Sequence, residues 1–407
     1  MTRTAVHELA VNGGKPVRTK PFPAWPSYDD TERQGLLRVL ESGMWGGRRK
    51  PSPTEVTAFE REFAEFHEAP AALAVTNGTH ALQLALDLAG VRPGDHVLVP
   101  ALTPIPTSNA VRQCGAVPIP VDVDPHTFCV DPDRLAQART DRVTAVVVVH
   151  LSGHIADMDG ILRWADRSGV AVVQDAAHAH GALWKGHGIG ALGTIATFSF
   201  MQSKVMTAGE GGALLLPNGD LYPEAFARHC LGRAHDGGPR FLTASSNYRM
   251  GEFAAAVLRA QLGRLAEQNR RRDQRWRELV ELVARIPGVT PQGRDPRCTV
   301  DPHYVAALEL DGEPHDGVSR DTIVAALRAE GITVNLMNPP IYRLPAFWDG
   351  PVYPRDADVH RFAEACPHSE RLGAWAINLP HWTLLGDHRD VQDIADALAK
   401  VLGALMS

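Results

Sequence analysis

What most constrains this chain is a rhythm that begins near residue 70, in which short uninterrupted apolar runs are separated by stretches of helical spacing. Ala71–Thr76, His96–Val99, Val117–Val123, Val143–Val149 and Val170–Gln174 read as strands. His80–Leu88, Thr107–Cys114 and Met158–Asp166 read as helices between them, and Thr194–Phe200 and Gly212–Leu216 as two further strands. A strand that is apolar on both faces has to be covered on both faces, and strand–helix–strand connections bring successive strands in parallel. The expected class is therefore α/β, with a mainly parallel sheet between helical layers.

Upstream, Leu36–Leu40 and Glu55–Phe66 have helical spacing. Downstream, Glu252–Ile286 reads as one long helical stretch, continuous or broken, with Trp276, Leu279, Val280, Val283 and Ile286 on one face and Pro287-Gly288 as its stop. Then Tyr304–Leu310, Asp321–Glu330 and Ile332–Leu336 read strand–helix–strand, and Val391–Leu402 as a closing helix. The chain divides accordingly into an irregular N-terminal arm (1–30), a large α/β domain (31–250), a connecting helix (251–289) and a small C-terminal α+β domain (290–407).

Charge and cysteine content narrow the function classes. Forty-one basic against 47 acidic residues give a net charge of −6, which argues against nucleic acid or an anionic membrane as main partner. The five cysteines are scattered without a CxxC pair, so reduced thiols and a cytoplasmic location are expected, with no disulfide framework and no metal. The first residues lack the apolar core of a secretory signal, and runs such as Ala145–Val149 are too short to span a bilayer.

In doubly wound sheets ligands bind at the carboxyl ends of strands, and several polar residues lie there. Asp175 ends one strand; it is either a turn-capping carboxylate or an acid presented to a site. Asn77-Gly78-Thr79 joins a strand to a helix, where it can cap the helix or offer backbone amides to a phosphate. Lys204 follows an apolar strand, flanked by Met and Val and then by glycines. A lysine in such surroundings is desolvated, which lowers its pKa and frees the amine as a nucleophile. Gly188-Ile189-Gly190-Ala191-Leu192-Gly193 matches GxGxxG but precedes a strand, so a hairpin turn is expected and no dinucleotide site. His178, His180 and His187 near Asp175 lack metal-ligand spacing. Arg270, Arg271, Arg272, Arg275 and Arg277, interspersed with acids, read as a solvated helix face.

A lysine, a carboxylate and a helix N-terminus at one sheet edge are what pyridoxal 5′-phosphate requires: an amine for its aldehyde, an acid for its pyridine nitrogen, and amides for its phosphate. The sequence resembles the DegT–DnrJ–StrS group of sugar and cyclitol aminotransferases, a branch of the fold-type I pyridoxal phosphate enzymes. The segments that carry the resemblance are Val75–Leu82, Val149–Gly153, Gln174–Gly181, Ser199–Gly212 and Ser246–Met250. Within that group it is most similar to 3-amino-5-hydroxybenzoate synthases and aminocyclitol aminotransferases, through Phe22–Pro26, Phe198–Gly212 and Ile341–Arg343 followed by Ala346–Trp348.

The resemblance implies a seven-stranded, mainly parallel large-domain sheet and a role for each matching residue. Lys204 would hold the cofactor's aldehyde as an imine and shuttle the proton. Asp175 would pair with the pyridinium nitrogen, and His178 would lie beside the ring. Gly78, Thr79 and Ser199 would bind the phosphate, and Asn247 would reach the phosphate of the neighbouring subunit of a homodimer. Two residues depart from the group's pattern. Pro104 stands where an aromatic side chain usually stacks on the ring, which implies a reshaped pocket, and Met201 replaces a polar residue near the substrate. The implied reaction moves an amino group from L-glutamine or L-glutamate to a keto-cyclitol or keto-sugar in secondary-metabolite (aminoglycoside-type) biosynthesis. An aromatising, water-removing synthase with the same lysine is the alternative. A non-catalytic binding subunit is a further one, disfavoured by the intact lysine and aspartate. Sugar dehydratases of the group carry His in place of the lysine, so Lys204 argues against that activity.

Overall fold

The computed structural model describes residues 7–46, 54–310, 318–349 and 359–405. Its strands in chain order are β1 (Ala71–Val75), β2 (His96–Pro100), β3 (Val117–Val121), β4 (Val143–Val149), β5 (Ala171–Asp175), β6 (Leu183–Trp184), β7 (His187–Gly188), β8 (Ile195–Ser199), β9 (Gly212–Leu216), β10 (Val289–Pro291), β11 (Cys298–Val300), β12 (Val305–Leu310), β13 (Asn335–Leu336) and β14 (Ala376–Pro380). Seven of them form the large sheet, in the order β1-β9-β8-β5-β4-β2-β3. The five from β8 to β3 run parallel, and β9 is inserted antiparallel between β1 and β8. Ala145 to Val148 are fully buried, as a central strand covered on both faces must be.

The inserted strand is what gathers the site. Its first residue, Gly212, pairs with Val75 at the end of β1 and with Ser199 at the end of β8. The turn after β1, the loop after β8 and the end of β5 therefore meet at one edge. The turn after β1 becomes a helix, Gly78–Leu88, because the Asn77 side chain accepts the His80 N–H at 2.8 Å and supplies the cap.

The glycine run does not itself make the hairpin turn. The turn between β6 and β7 is Lys185-Gly186, both at positive φ, while Gly188 lies in β7 and Ile189–Leu192 form a 3-10 turn leading to β8. With β11, β6 and β7 make a separate three-stranded sheet.

The long helix is unbroken from Glu252 to Val283. Its last turns bury Trp276, Leu279 and Val283 in a second core, beneath the antiparallel sheet β10-β12-β14-β13. The expected strand Ile332–Leu336 is paired only over Asn335–Leu336. The basic run on this helix is not uniformly solvated. Arg272 is fully buried, donating to Asn269 Oδ1 at 2.8 Å, and burial lowers its guanidinium to about 9. Asp273 is also buried, accepting from Arg277, Arg294 and His303. Periodicity assigned the run one face and could not show what packs against it.

The N-terminal segment is anchored on the second core. Leu9 is buried there, and the buried Arg18 guanidinium pairs with Asp390 at 2.7 Å and Asp393 at 2.9 Å on the closing helix His388–Leu405. No helix among the described residues is long and apolar enough to cross a membrane.

Candidate active site

The lysine lies on the loop between β8 and β9. The loop folds back on itself: the Phe200 N–H donates to Gly211 O at 2.8 Å, the Gln202 N–H to Gly209 O at 2.9 Å and the Lys204 N–H to Met201 O at 2.9 Å. Gly209, at φ 84°, supplies the left-handed residue this reversal needs. Phe198 and Phe200 anchor its base against Phe63 edge-on, with ring centroids 5.0 and 5.5 Å away.

Three distant residues grip the loop from outside. Trp25 Nε1 donates to Gln202 O at 3.1 Å, His381 Nε2 to Ser203 O at 3.1 Å, and Ser203 Oγ and the Tyr304 hydroxyl share a bond of 2.8 Å. The Tyr304 ring lies 4.3 Å from Lys204 Nζ and stacks at 4.2 Å on His178. Lys204 is only 7% exposed, and burial lowers its amine to about 8, with Asp175 pulling the other way.

Asp175 ends β5 on the same cavity. Its Oδ2 accepts from Thr107 Oγ1 at 3.0 Å and its Oδ1 from the Ala177 N–H at 3.2 Å. Burial raises its pKa; the two bonds and the Lys204 charge oppose that rise. His178 Nδ1 accepts the Ser152 N–H at 3.3 Å, and burial holds the ring well below its usual pKa, so it is neutral with its proton on Nε2.

Gly78 and Thr79 form the opposite wall, at the start of their helix. A Cβ on Gly78 would stand 2.6 Å from Ser199 Cβ, so only glycine lets this helix start so close to β8. The cavity between these groups has a volume of about 760 Å³ and is also lined by Pro104 and Met201. Asn247 is exposed on a loop and does not line the cavity of its own chain.

His178, His180 and His187 do not gather around a metal position. His180 donates to Ser199 O at 2.9 Å, and His187 is exposed against Glu68. Among the described residues the one compact group of metal-type side chains is His154, Cys298 and Asp301. Both ring nitrogens of His154 are engaged, with Asp301 and with the Asp295 N–H, and Cys298 faces Val300 O.

The residues present fit pyridoxal phosphate: a buried amine of lowered pKa, a half-buried carboxylate on the same cavity, and a glycine-opened helix N-terminus packed close against a serine. Sequence reasoning did not find Thr107, Ser152, Tyr304 or His381. Thr107 and Ser152 act through a partner distant in sequence, and Tyr304 and His381 carry no local motif.

A doubly wound sheet with this lysine and aspartate at its edge defines a pyridoxal phosphate-dependent enzyme of the aminotransferase type. Residues 26–399 match the DegT/DnrJ/EryC1/StrS aminotransferase family, and the chain belongs to that family. It is 46% identical to a 3-amino-5-hydroxybenzoate synthase of Amycolatopsis mediterranei (strain S699), over 93% of this chain and 98% of that protein. It is 38% identical to an L-glutamine:2-deoxy-scyllo-inosose aminotransferase of Streptomyces fradiae, over 98% of each. The crystal structure of a 3-amino-5-hydroxybenzoic acid synthase superposes with a TM-score of 0.88 at 45% identity, covering 95% of this chain and all of that one.

Proposed function

We propose that this enzyme transfers an amino group from L-glutamine or L-glutamate to a keto-cyclitol or keto-sugar, with 2-deoxy-scyllo-inosose as the first acceptor to test. The observation that carries the reading is the buried Lys204 amine, poised near neutrality and opposed by Asp175 across a cavity of substrate size. The 38% identity to the glutamine-dependent inosose aminotransferase supports the acceptor class.

Pyridoxal 5′-phosphate, when bound, supplies the electron sink that makes the substrate's nitrogen-bearing carbon acidic. Lys204 Nζ would carry the proton from the donor's carbon to the cofactor's carbon in one half-reaction and from the cofactor's carbon to the acceptor's in the other, and an amine with a lowered pKa of about 8 is suited to both directions. Asp175, held by Thr107 and Ala177, presents its charge to the ring nitrogen's position. Neutral His178 would lie beside the ring. Gly78, Thr79 and Ser199 would hold the phosphate, and Asn247 would reach the phosphate of a second copy, which makes the active unit a homodimer, working in the cytoplasm. Tyr304 and Pro104 line the same cavity.

The 46% identity to a 3-amino-5-hydroxybenzoate synthase favours a second reading, in which Lys204 removes a proton so that water leaves and a ring aromatises. Titrating the yellow holoenzyme with L-glutamine separates the two. Bleaching of the visible band, followed by its return on adding 2-deoxy-scyllo-inosose with formation of an amine product, is the expected outcome. A band that ignores glutamine and glutamate would refute the transfer reading and favour the aromatising one.

A further inference from the structure

Another part of the cavity lining comes from the small antiparallel sheet and the turn after β13, and it carries no charge: Val305, Asn335, Leu336, Met337, Asn338 and Asn378. Asn335 on β13 and Asn378 on β14 are direct cross-strand partners, and both line the cavity, with Asn338 just beyond. Side chains of directly opposed residues share a face and stand about 5 Å apart at Cβ. Asn378 is only half satisfied: its Nδ2 has the soft Met337 Sδ at 3.7 Å, and its Oδ1 is buried without any partner. Asn378 lines the cavity and is only partly buried, so its carboxamide carries polar capacity that the chain itself does not use.

The surrounding charges say what enters. Among the lining residues Lys204 is the only lysine or arginine, and the carboxylates are Asp175 and the exposed Glu210. The asparagine wall carries no fixed charge, and each carboxamide both donates and accepts. A hydroxyl does the same, so a wall of carboxamides suits a ring that carries several hydroxyls. We infer that Asn335 and Asn378 form the acceptor-recognition wall of this enzyme, reading hydroxyls of a polyhydroxylated cyclic ketone. This rests on the transferase reading above and assigns specificity within it. Met201, apolar where the group is usually polar, leaves that recognition to the asparagines.

The test uses the holoenzyme and the variants Asn378→Leu and Asn335→Ala. Asn335 is exposed on a two-residue edge strand, so its variant folds whatever happens to Asn378. Glutamine titration of the visible band should be unchanged in both, whereas KM for 2-deoxy-scyllo-inosose should rise by about tenfold for each lost hydrogen bond with kcat little altered. Calorimetric binding of scyllo-inositol, an unreactive hydroxylated ring, should weaken in parallel. Unchanged acceptor KM and unchanged inositol binding in both variants would overturn the assignment. A wild-type enzyme that does not respond to glutamine would instead overturn the transferase reading, so the two failures are distinguishable.

Discussion

Burial sets the working state of Lys204, and the effect can be measured on the cofactor-free protein. A free lysine titrates near 10.4; burial brings this one to about 8. At pH 7 about one chain in ten then carries a neutral amine, against roughly one in 2,500 for a solvated lysine, an advantage of about 200-fold. The bimolecular rate of reconstitution with pyridoxal phosphate, followed by stopped-flow absorbance, should therefore rise with pH and level off just above 8. Asp175→Asn should move the bend to lower pH, because the carboxylate is what favours the cation. Stability follows the same sign. The unfolded chain binds more protons between pH 8 and about 10.4, so the cofactor-free protein gains stability with rising pH over that window. Relative to Lys204→Met, that gain is about 1 kcal/mol between pH 7 and 9 in urea unfolding, the depressed pKa making the cation costly in the fold. A reconstitution rate that keeps climbing to pH 10, or a pH-independent difference from Lys204→Met, would refute the argument that burial tunes this amine.

Two further outcomes follow from close contacts. Gly78→Ala places a methyl group 2.6 Å from Ser199 Cβ and must push the helix start away from the phosphate position, so equilibrium dialysis should show pyridoxal phosphate affinity reduced by about tenfold or more, with the secondary structure retained. Asp122 is buried and accepts the Ser369 N–H and hydroxyl, each at 2.8 Å, and the His368 N–H at 3.1 Å. Asp122→Ala leaves these donors unmet and should cost about 2–3 kcal/mol in chemical unfolding, and an unchanged midpoint would contradict that reading.

The large sheet was legible because its strands announce themselves locally: Val143–Val149 is apolar but for Thr144, and every other residue of it is buried. Asp175, Gly78 and Lys204 drew attention for a related reason, since Asp175 ends such a run and the other two lie within five residues of the end of one. The small sheet was much less so. β14, Ala376–Pro380, is five residues without alternation, and its pairing with β12, some seventy residues earlier, and with β13 makes it a strand. Asn378 was invisible with it. Arg272 shows the complementary failure: helical spacing identifies a face, but burial depends on what the rest of the chain brings to that face.

The clamp on the lysine loop has a consequence for how the enzyme is made. Trp25, Tyr304 and His381 belong to the beginning, the latter part and nearly the end of the polypeptide, yet all three hold residues 202 and 203. During synthesis Trp25 and the nucleophile are finished well before the other two fastenings, Tyr304 and His381, exist. Cofactor capture in its native form therefore reports that the chain has been translated almost to its last helix. A product truncated before His381 keeps the reactive amine but lacks part of the frame that aims it, so the colour of the bound cofactor doubles as a mark of completion.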